Sequence, residues 1–188
     1  MTRLSWYGYE VEIDRAATAA WYARAGEWGC GCGHCRNFLA LARERRLPSE
    51  ILDILDKLHI PPEKATYVCE LYHDEAWTEK GLLYQFSWRV AGQILARPPG
   101  EDRGPNWGPG AGFAWGELSL GHEDYPYGAP DFPQPCFDLE CDMYLPWILD
   151  EPIDGQKWVE PMDGQKEEED YGQAPLYPGD GGRAGCSQ

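Results

Sequence analysis

Three closely spaced cysteines are the residues of this chain best suited to chemistry. They lie in the segment Cys30-Gly31-Cys32-Gly33-His34-Cys35, where the intervening glycines let the backbone bend sharply. Thiolates at this spacing can converge on one soft metal ion, and zinc is the common occupant of such sites. The pattern therefore predicts a metal knuckle with a structural zinc ion.

A structural zinc ion normally has four protein ligands, so three cysteines require one more. His34 within the loop and Cys69 in a predicted strand are the main candidates, followed by His73, Cys136 and Cys141. Three alternatives to zinc stay open. They are an iron–sulfur cluster, a redox-active Cys-x-x-Cys pair, and thiols that bind no metal.

A catalytic metal is the alternative to a structural one. Catalytic zinc keeps an open coordination position and usually has a carboxylate base nearby, a role open to Glu27 or Glu70. However, the chain has no His-Glu-x-x-His motif, no deaminase signature and no phosphate-binding loop. The sequence therefore favours a structural metal, with a metal-dependent enzyme as the second hypothesis.

Acidic residues are concentrated in the second half of the chain. The formal net charge is −16, and residues 97–188 contribute −14 of it from five basic and nineteen acidic side chains. The negative electrostatic field of such an acidic segment repels nucleic-acid phosphates and attracts basic protein surfaces. We expect a non-enzymatic acidic binding protein with a basic, nucleic-acid-handling partner, although a solvated acidic face and tail is the more common cause of such a charge.

Aromatic residues on Gly/Pro-rich loops form the predicted contact surface for this partner, together with acids of the last predicted strand. Rigid rings give contact area at little entropic cost. The predicted contact residues are Trp107, Trp115, Tyr125, Tyr127, Asp138, Glu140 and Asp142. The same rings would serve equally well to pin long loops onto a sheet.

The one basic concentration is Arg36, Arg43, Arg45 and Arg46, next to the cysteines. A zinc knuckle followed by an arginine-rich helix can contact nucleic acid, which gives a third hypothesis. Arginine near a helix C-terminus is also ordinary compensation of the helix dipole, and the overall charge is strongly negative. Direct nucleic-acid binding is therefore the least favoured function.

Hydrophobic periodicity and capping residues predict an α+β fold. Three N-terminal helices with the knuckle should pack on an antiparallel sheet of four or five strands. The predicted helices are Arg15–Ala25 capped by Asp14, Phe38–Arg46 capped by Asn37, and one that begins at Pro48-Ser49 and ends before Pro61. The predicted strands are Tyr7–Ile13, Thr66–Tyr72, Leu82–Leu95, Phe113–Leu120 and Phe137–Leu149.

Composition further predicts one domain over residues 1–152, followed by an acidic tail at 153–188 that is too polar to fold alone. The N-terminal residues lack the apolar run of a signal peptide, and seven cysteines are an odd number for a disulfide framework. We therefore expect a cytoplasmic protein without membrane spans, in a bacterial cell or a phage-infected host.

Several blocks of the chain resemble a family of small uncharacterised proteins from Gram-positive anaerobes and their prophages. The blocks are Cys30-x-Cys32-x-x-Cys35-Arg36-Asn37, Leu58-His-Ile60-Pro-Pro62-Glu-Lys64, Phe86 with Gly92 and Ile94, and Leu145-Pro146-Trp147-Ile148-Leu149-Asp150-Glu151-Pro152. The resemblance implies one domain of bacterial or phage origin and no particular activity. With the acidic charge, it suggests an inhibitor of a host defence nuclease that imitates the charge of DNA.

Overall fold

The computed structural model describes residues 1–104, 106–122 and 128–153. Within them it shows an α+β fold with a seven-stranded antiparallel sheet, which confirms the predicted class. The strands are β1 Thr2–Trp6, β2 Tyr9–Ile13, β3 Tyr67–Tyr72, β4 Leu82–Ala96, β5 Ala111–Phe113, β6 Gly116–Gly121 and β7 Cys136–Leu145. The helices are α1 Arg15–Arg24, α2 Gly33–Arg43, α3 Ser49–Leu58 and α4 Trp77–Lys80, and a 3-10 turn spans Pro62–Lys64.

Strand β4 is the centre of the sheet. Its 15 residues pair with β7 along one edge, while β3 and then β2 share the other edge. Aromatic and β-branched residues favour such a strand, and it is buried from Tyr84 to Gly92. Gly92 adopts a φ of 145° at the point where β4 begins to pair with β2 instead of β3. A β-carbon there would collide with the Glu12 carbonyl oxygen.

One face of the sheet is apolar and carries the helices. The ring of Phe38 on α2 lies 4.9 Å from that of Phe86 on β4, and Trp88 Nε1 donates to the Pro62 carbonyl at 3.1 Å. The hydroxyl of Tyr22 on α1 donates to the Arg89 carbonyl at 3.0 Å. These two donors are thus satisfied within a packed aromatic core, as burial requires.

The opposite face of β4, β6 and β7 carries charges. Side chains alternate between faces along a strand, so Gln85, Ser87 and Arg89 project away from the helices. Arg89 Nε lies 2.9 Å from Asp138 Oδ1 and Nη2 lies 3.2 Å from Oδ2, and both side chains are almost inaccessible. This bidentate pair neutralises a carboxylate that would be costly to bury alone.

The observed elements correct several predicted boundaries. Helix α2 begins at Gly33 rather than Phe38, because Cys32 caps it where Asn37 was expected to. The predicted strand Phe113–Leu120 is two strands, β5 and β6, joined by a turn. Strand β1 was not predicted, and it pairs with β2 as a hairpin. These additions raise the number of strands from the expected four or five to seven.

The predicted tail lies outside the described residues, except for its first residue. Ile153 is 8% exposed and belongs to the hydrophobic core, so the folded part extends at least to this position. The Asp14 cap of α1 is confirmed, since its Oδ1 accepts the Ala17 amide at 2.9 Å.

The Arg89–Asp138 pair gives a test of the charged face. Replacing Arg89 with Met should lower the free energy of unfolding in urea by about 3–5 kcal/mol, because it leaves the carboxylate buried without its guanidinium. The double variant Arg89→Met/Asp138→Leu should recover most of this loss, since no buried charge remains. A loss below about 1 kcal/mol in the single variant would show that the pair behaves like a surface ion pair.

Candidate metal centre

The three cysteines meet at the N-terminus of α2. Cys32 precedes the helix and its sulfur accepts the Cys35 amide at 3.5 Å, while the Cys30 and Cys32 sulfurs are 3.4 Å apart. All three sulfurs lie within 4.8 Å of one another. Tetrahedral zinc with normal Zn–S bonds separates its sulfurs by about 3.8 Å. Cys30, Cys32 and Cys35 could therefore hold a metal ion, as the sequence predicted.

Cys35 is the most buried of the three thiols, at 1% exposure. Burial raises its pKa well above the ordinary value, although Trp28 Nε1, which donates to the Cys35 sulfur at 3.2 Å, opposes the rise. The neighbouring thiols Cys30 and Cys32 raise the pKa further. The group is thus a thiol at neutral pH without a metal, and a metal ion must displace its proton.

Hydrogen bonds attach the cysteine loop to the sheet and to the segment after β7. The Tyr84 hydroxyl on β4 donates to the His34 carbonyl at 3.0 Å. Buried Asn37 donates to the Pro146 carbonyl at 3.0 Å and accepts the Ile148 amide at 2.8 Å. Asn37, predicted as a helix cap, therefore holds the 146–148 segment beside the cysteines.

The strand register directs Cys69 away from the metal centre. Cys69 lies opposite Gln85, on the charged face, while the adjacent Glu70 lies opposite Tyr84, on the helix face. Because successive strand residues point to opposite faces, Cys69 is turned away from α2 and is not a fourth ligand in this fold. Among the described residues, no fourth His, Cys, Asp or Glu donor joins the group of three.

His34 turns towards Glu70 instead of the sulfurs. Its Nδ1 lies 3.9 Å from Glu70 Oε2, and His73 Nδ1 lies 2.7 Å from Glu70 Oε1. The sequence offered His73 as a candidate fourth ligand of the cysteine site and Glu70 only as a possible base. The spacing Glu70-x-x-His73 was the available signal, but only the fold brings it next to His34.

The predicted partner-contact residues differ in their burial and in the ion pairs that they form. Asp138 and Glu140 are each 2% exposed, so the structure removes both from the predicted surface. Asp142 forms an ion pair with Arg103, a residue that also pairs with Glu140. The acids of β7 therefore serve mainly as internal partners of arginine.

The predicted aromatic contacts are also largely internal. Trp107 is 6% exposed and lies against Gly121, and half-buried Trp115 stacks on Phe113 at 4.7 Å between ring centroids. Of the two roles left open, packing of the loop is the one that Trp107 performs. Tyr125 and Tyr127 lie outside the described residues.

No known family model, curated protein or solved structure matches this chain. In the described part of the chain, no helix has the length and apolar character needed to cross a membrane.

The Trp28–Cys35 contact predicts how the metal affinity depends on its surroundings. Trp28→Phe should weaken Zn²⁺ binding by about tenfold, because removal of the N–H donor destabilises the Cys35 thiolate. Affinity should also rise between about pH 6.5 and about pH 8.5, since the proton on a thiol of raised pKa must leave. Competition with a chromophoric chelator measures both effects.

Cys136 provides the matched control, because it is partly buried and lies outside the cluster. Cys136→Ser should leave the affinity unchanged, whereas Cys35→Ser should reduce it more than Trp28→Phe does. Equal affinities for the wild type and Cys35→Ser would show that these sulfurs do not hold the ion.

Proposed function

We propose that this protein is a non-enzymatic acidic binding protein that engages a basic, nucleic-acid-handling partner, with a structural zinc ion at Cys30, Cys32 and Cys35. The observation that carries the proposal is that carboxylates neutralise the arginines around the cysteines while the whole chain has a net charge of −16. The field that a partner meets is therefore negative.

Ion pairs involve all four arginines that the sequence offered for nucleic-acid binding. The pairs are Arg36–Glu151, Arg43–Glu27, Arg45–Asp56 and Arg46–Glu44. A guanidinium shared with a carboxylate has less charge to offer a phosphate, and the negative overall field opposes the approach of nucleic acid. This supports a protein partner over nucleic acid itself.

The position of the cysteines supports a structural role for the zinc. They join the loop after α1 to the start of α2, and α2 packs through Phe38 on the central strand. A metal there would fix the start of the helix against the sheet through the Tyr84–His34 hydrogen bond. An inhibitor that imitates the charge of DNA, encoded by a phage or mobile element, is the specific form of this function that we favour.

A metal-dependent enzyme is the second candidate, and the structure distinguishes its two possible bases. Glu27 is paired with Arg43, whose hydrogen bond lowers the pKa of that carboxyl and makes it a poor proton acceptor. Glu70 instead contacts two imidazoles near the cysteine loop. If the protein is an enzyme, Glu70 is the base that we expect.

Metal removal tests the structural role of zinc. At about 1,000 times its Kd, a ligand that binds only the folded state stabilises it by about 4 kcal/mol, so chelation should remove a stabilisation of that order. Thermal unfolding of the zinc-loaded and chelated chain measures it. Unchanged unfolding, together with catalytic turnover that Glu70→Gln abolishes, would favour the enzyme.

Salt dependence tests the partner. A bacterial nucleic-acid-binding protein captured by this chain at low salt should be released as the salt concentration rises, and double-stranded DNA should compete for it. Neutralising three exposed acids in the variant Glu10→Gln/Asp53→Asn/Glu101→Gln should weaken capture.

Lys57 offers a control of opposite sign, because it is exposed on α3 one turn after Asp53. Lys57→Gln should leave capture intact or strengthen it slightly. Capture that ignores salt, or that falls equally in both variants, would argue against an electrostatic partner.

A further inference from the structure

We propose that His34, Glu70 and His73 form a second metal site, for a divalent transition metal ion of the zinc class, separate from the three thiolates. Two imidazoles and one carboxylate are a familiar donor set for zinc and for non-haem iron. The proposal goes beyond a structural zinc ion at the cysteines and does not depend on the identity of any partner.

The carboxylate of Glu70 lies between the two imidazoles. One oxygen, Oε1, is 2.7 Å from His73 Nδ1, and the other, Oε2, is 3.9 Å from His34 Nδ1. The two rings are 6.0 Å apart between centroids and inclined by 32°. Both histidines thus present a nitrogen to the same carboxylate, which is the arrangement that a shared cation would produce.

The buried nitrogen of His34 is the strongest indication that this cluster binds an ion. Nδ1 is buried from solvent and has no hydrogen-bond partner, although a buried polar atom without a partner is costly. Glu70 is too far away to hydrogen-bond to it, at 3.9 Å. A metal ion between the His34 nitrogen and the Glu70 carboxylate would satisfy both.

The surroundings hold the three side chains in place and shield them to the same extent. Their exposures are 15% for His34, 15% for Glu70 and 16% for His73, so a bound ion would be largely protected from bulk water. The Tyr84 hydroxyl fixes the backbone of His34, and the Trp147 ring packs 5.8 Å from its imidazole. Such support is what a metal site requires of its surroundings.

The ion must draw the donors slightly closer together, because only the three cysteines lie within 4.8 Å of one another among the described residues. Rotation of the His34 and His73 rings would have to supply this movement. With three protein ligands the ion keeps a position for a small molecule. Trp147, whose ring packs against the His34 imidazole, also helps to line a cavity of about 440 Å³.

Metal stoichiometry and the Co²⁺ spectrum test the proposal on the full chain. Thiolate-bound Co²⁺ gives sulfur-to-metal charge-transfer absorption in the near ultraviolet, while a nitrogen and oxygen site gives none. We expect the wild type to bind about two equivalents of Zn²⁺ or Co²⁺, and Glu70→Gln and His73→Ala to bind about one. The charge-transfer band should be unchanged in both variants.

His122→Ala is the matched control, because His122 is exposed and lies outside the cluster. It should keep about two equivalents, and circular dichroism should show that all variants are folded. One equivalent that carries the charge-transfer band in the wild type would overturn the proposal, as would undiminished binding in Glu70→Gln. Loss of the charge-transfer band in Glu70→Gln would also overturn it, by assigning Glu70 to the thiolate site. One equivalent without the band, lost in Glu70→Gln, would support the second site and contradict the cysteine site.

Discussion

The alternation of side chains along β4 is the constraint on which the rest of the structure depends. This strand is buried on both faces, so every residue from Tyr84 to Gly92 must find either an apolar or a paired polar environment. Phe86 and Trp88 meet the helices, while Arg89 meets Asp138 on the other face. A register shift of one residue would place the arginine in the aromatic core. The cost of burying that charge therefore fixes the register in which β4 pairs with β7.

The same register positions the candidate metal centre. Tyr84 belongs to the helix face, and its hydroxyl reaches the carbonyl of His34 beside Cys35. Glu70 lies directly opposite Tyr84 on β3, so the carboxylate arrives near the same helix terminus. Burial raises the pKa of Tyr84, a hydrogen bond with Asn37 opposes the rise, and the nearby Glu70 carboxylate raises the pKa further. Thiols, imidazoles and carboxylate are therefore neighbours because one strand pair aligns them.

Some acidic residues of this chain are buried in ion pairs and others are exposed, and composition alone does not distinguish the two groups. Arg103 reaches across the charged face to Glu117 and Glu140, and it also pairs with Asp142. Glu140 and Asp142 are part of the negative balance of the chain, yet both are largely buried and pair with arginine inside the fold. The acidic surface that we propose for partner binding must therefore come from other carboxylates, such as those of Glu10, Asp53 and Glu101, which are exposed.

Local chemistry was enough to predict the α+β class, the Asp14 cap, the central strand and the cysteine cluster, because each depends on residues close together in the chain. The start of α2 was misplaced because a cysteine, and not the expected asparagine, caps it. Only the tertiary structure turned Cys69 away from the sulfurs, buried Asp138 and Glu140, and joined His34 to Glu70 and His73. These outcomes follow from the register between distant strands, which no short stretch of sequence specifies.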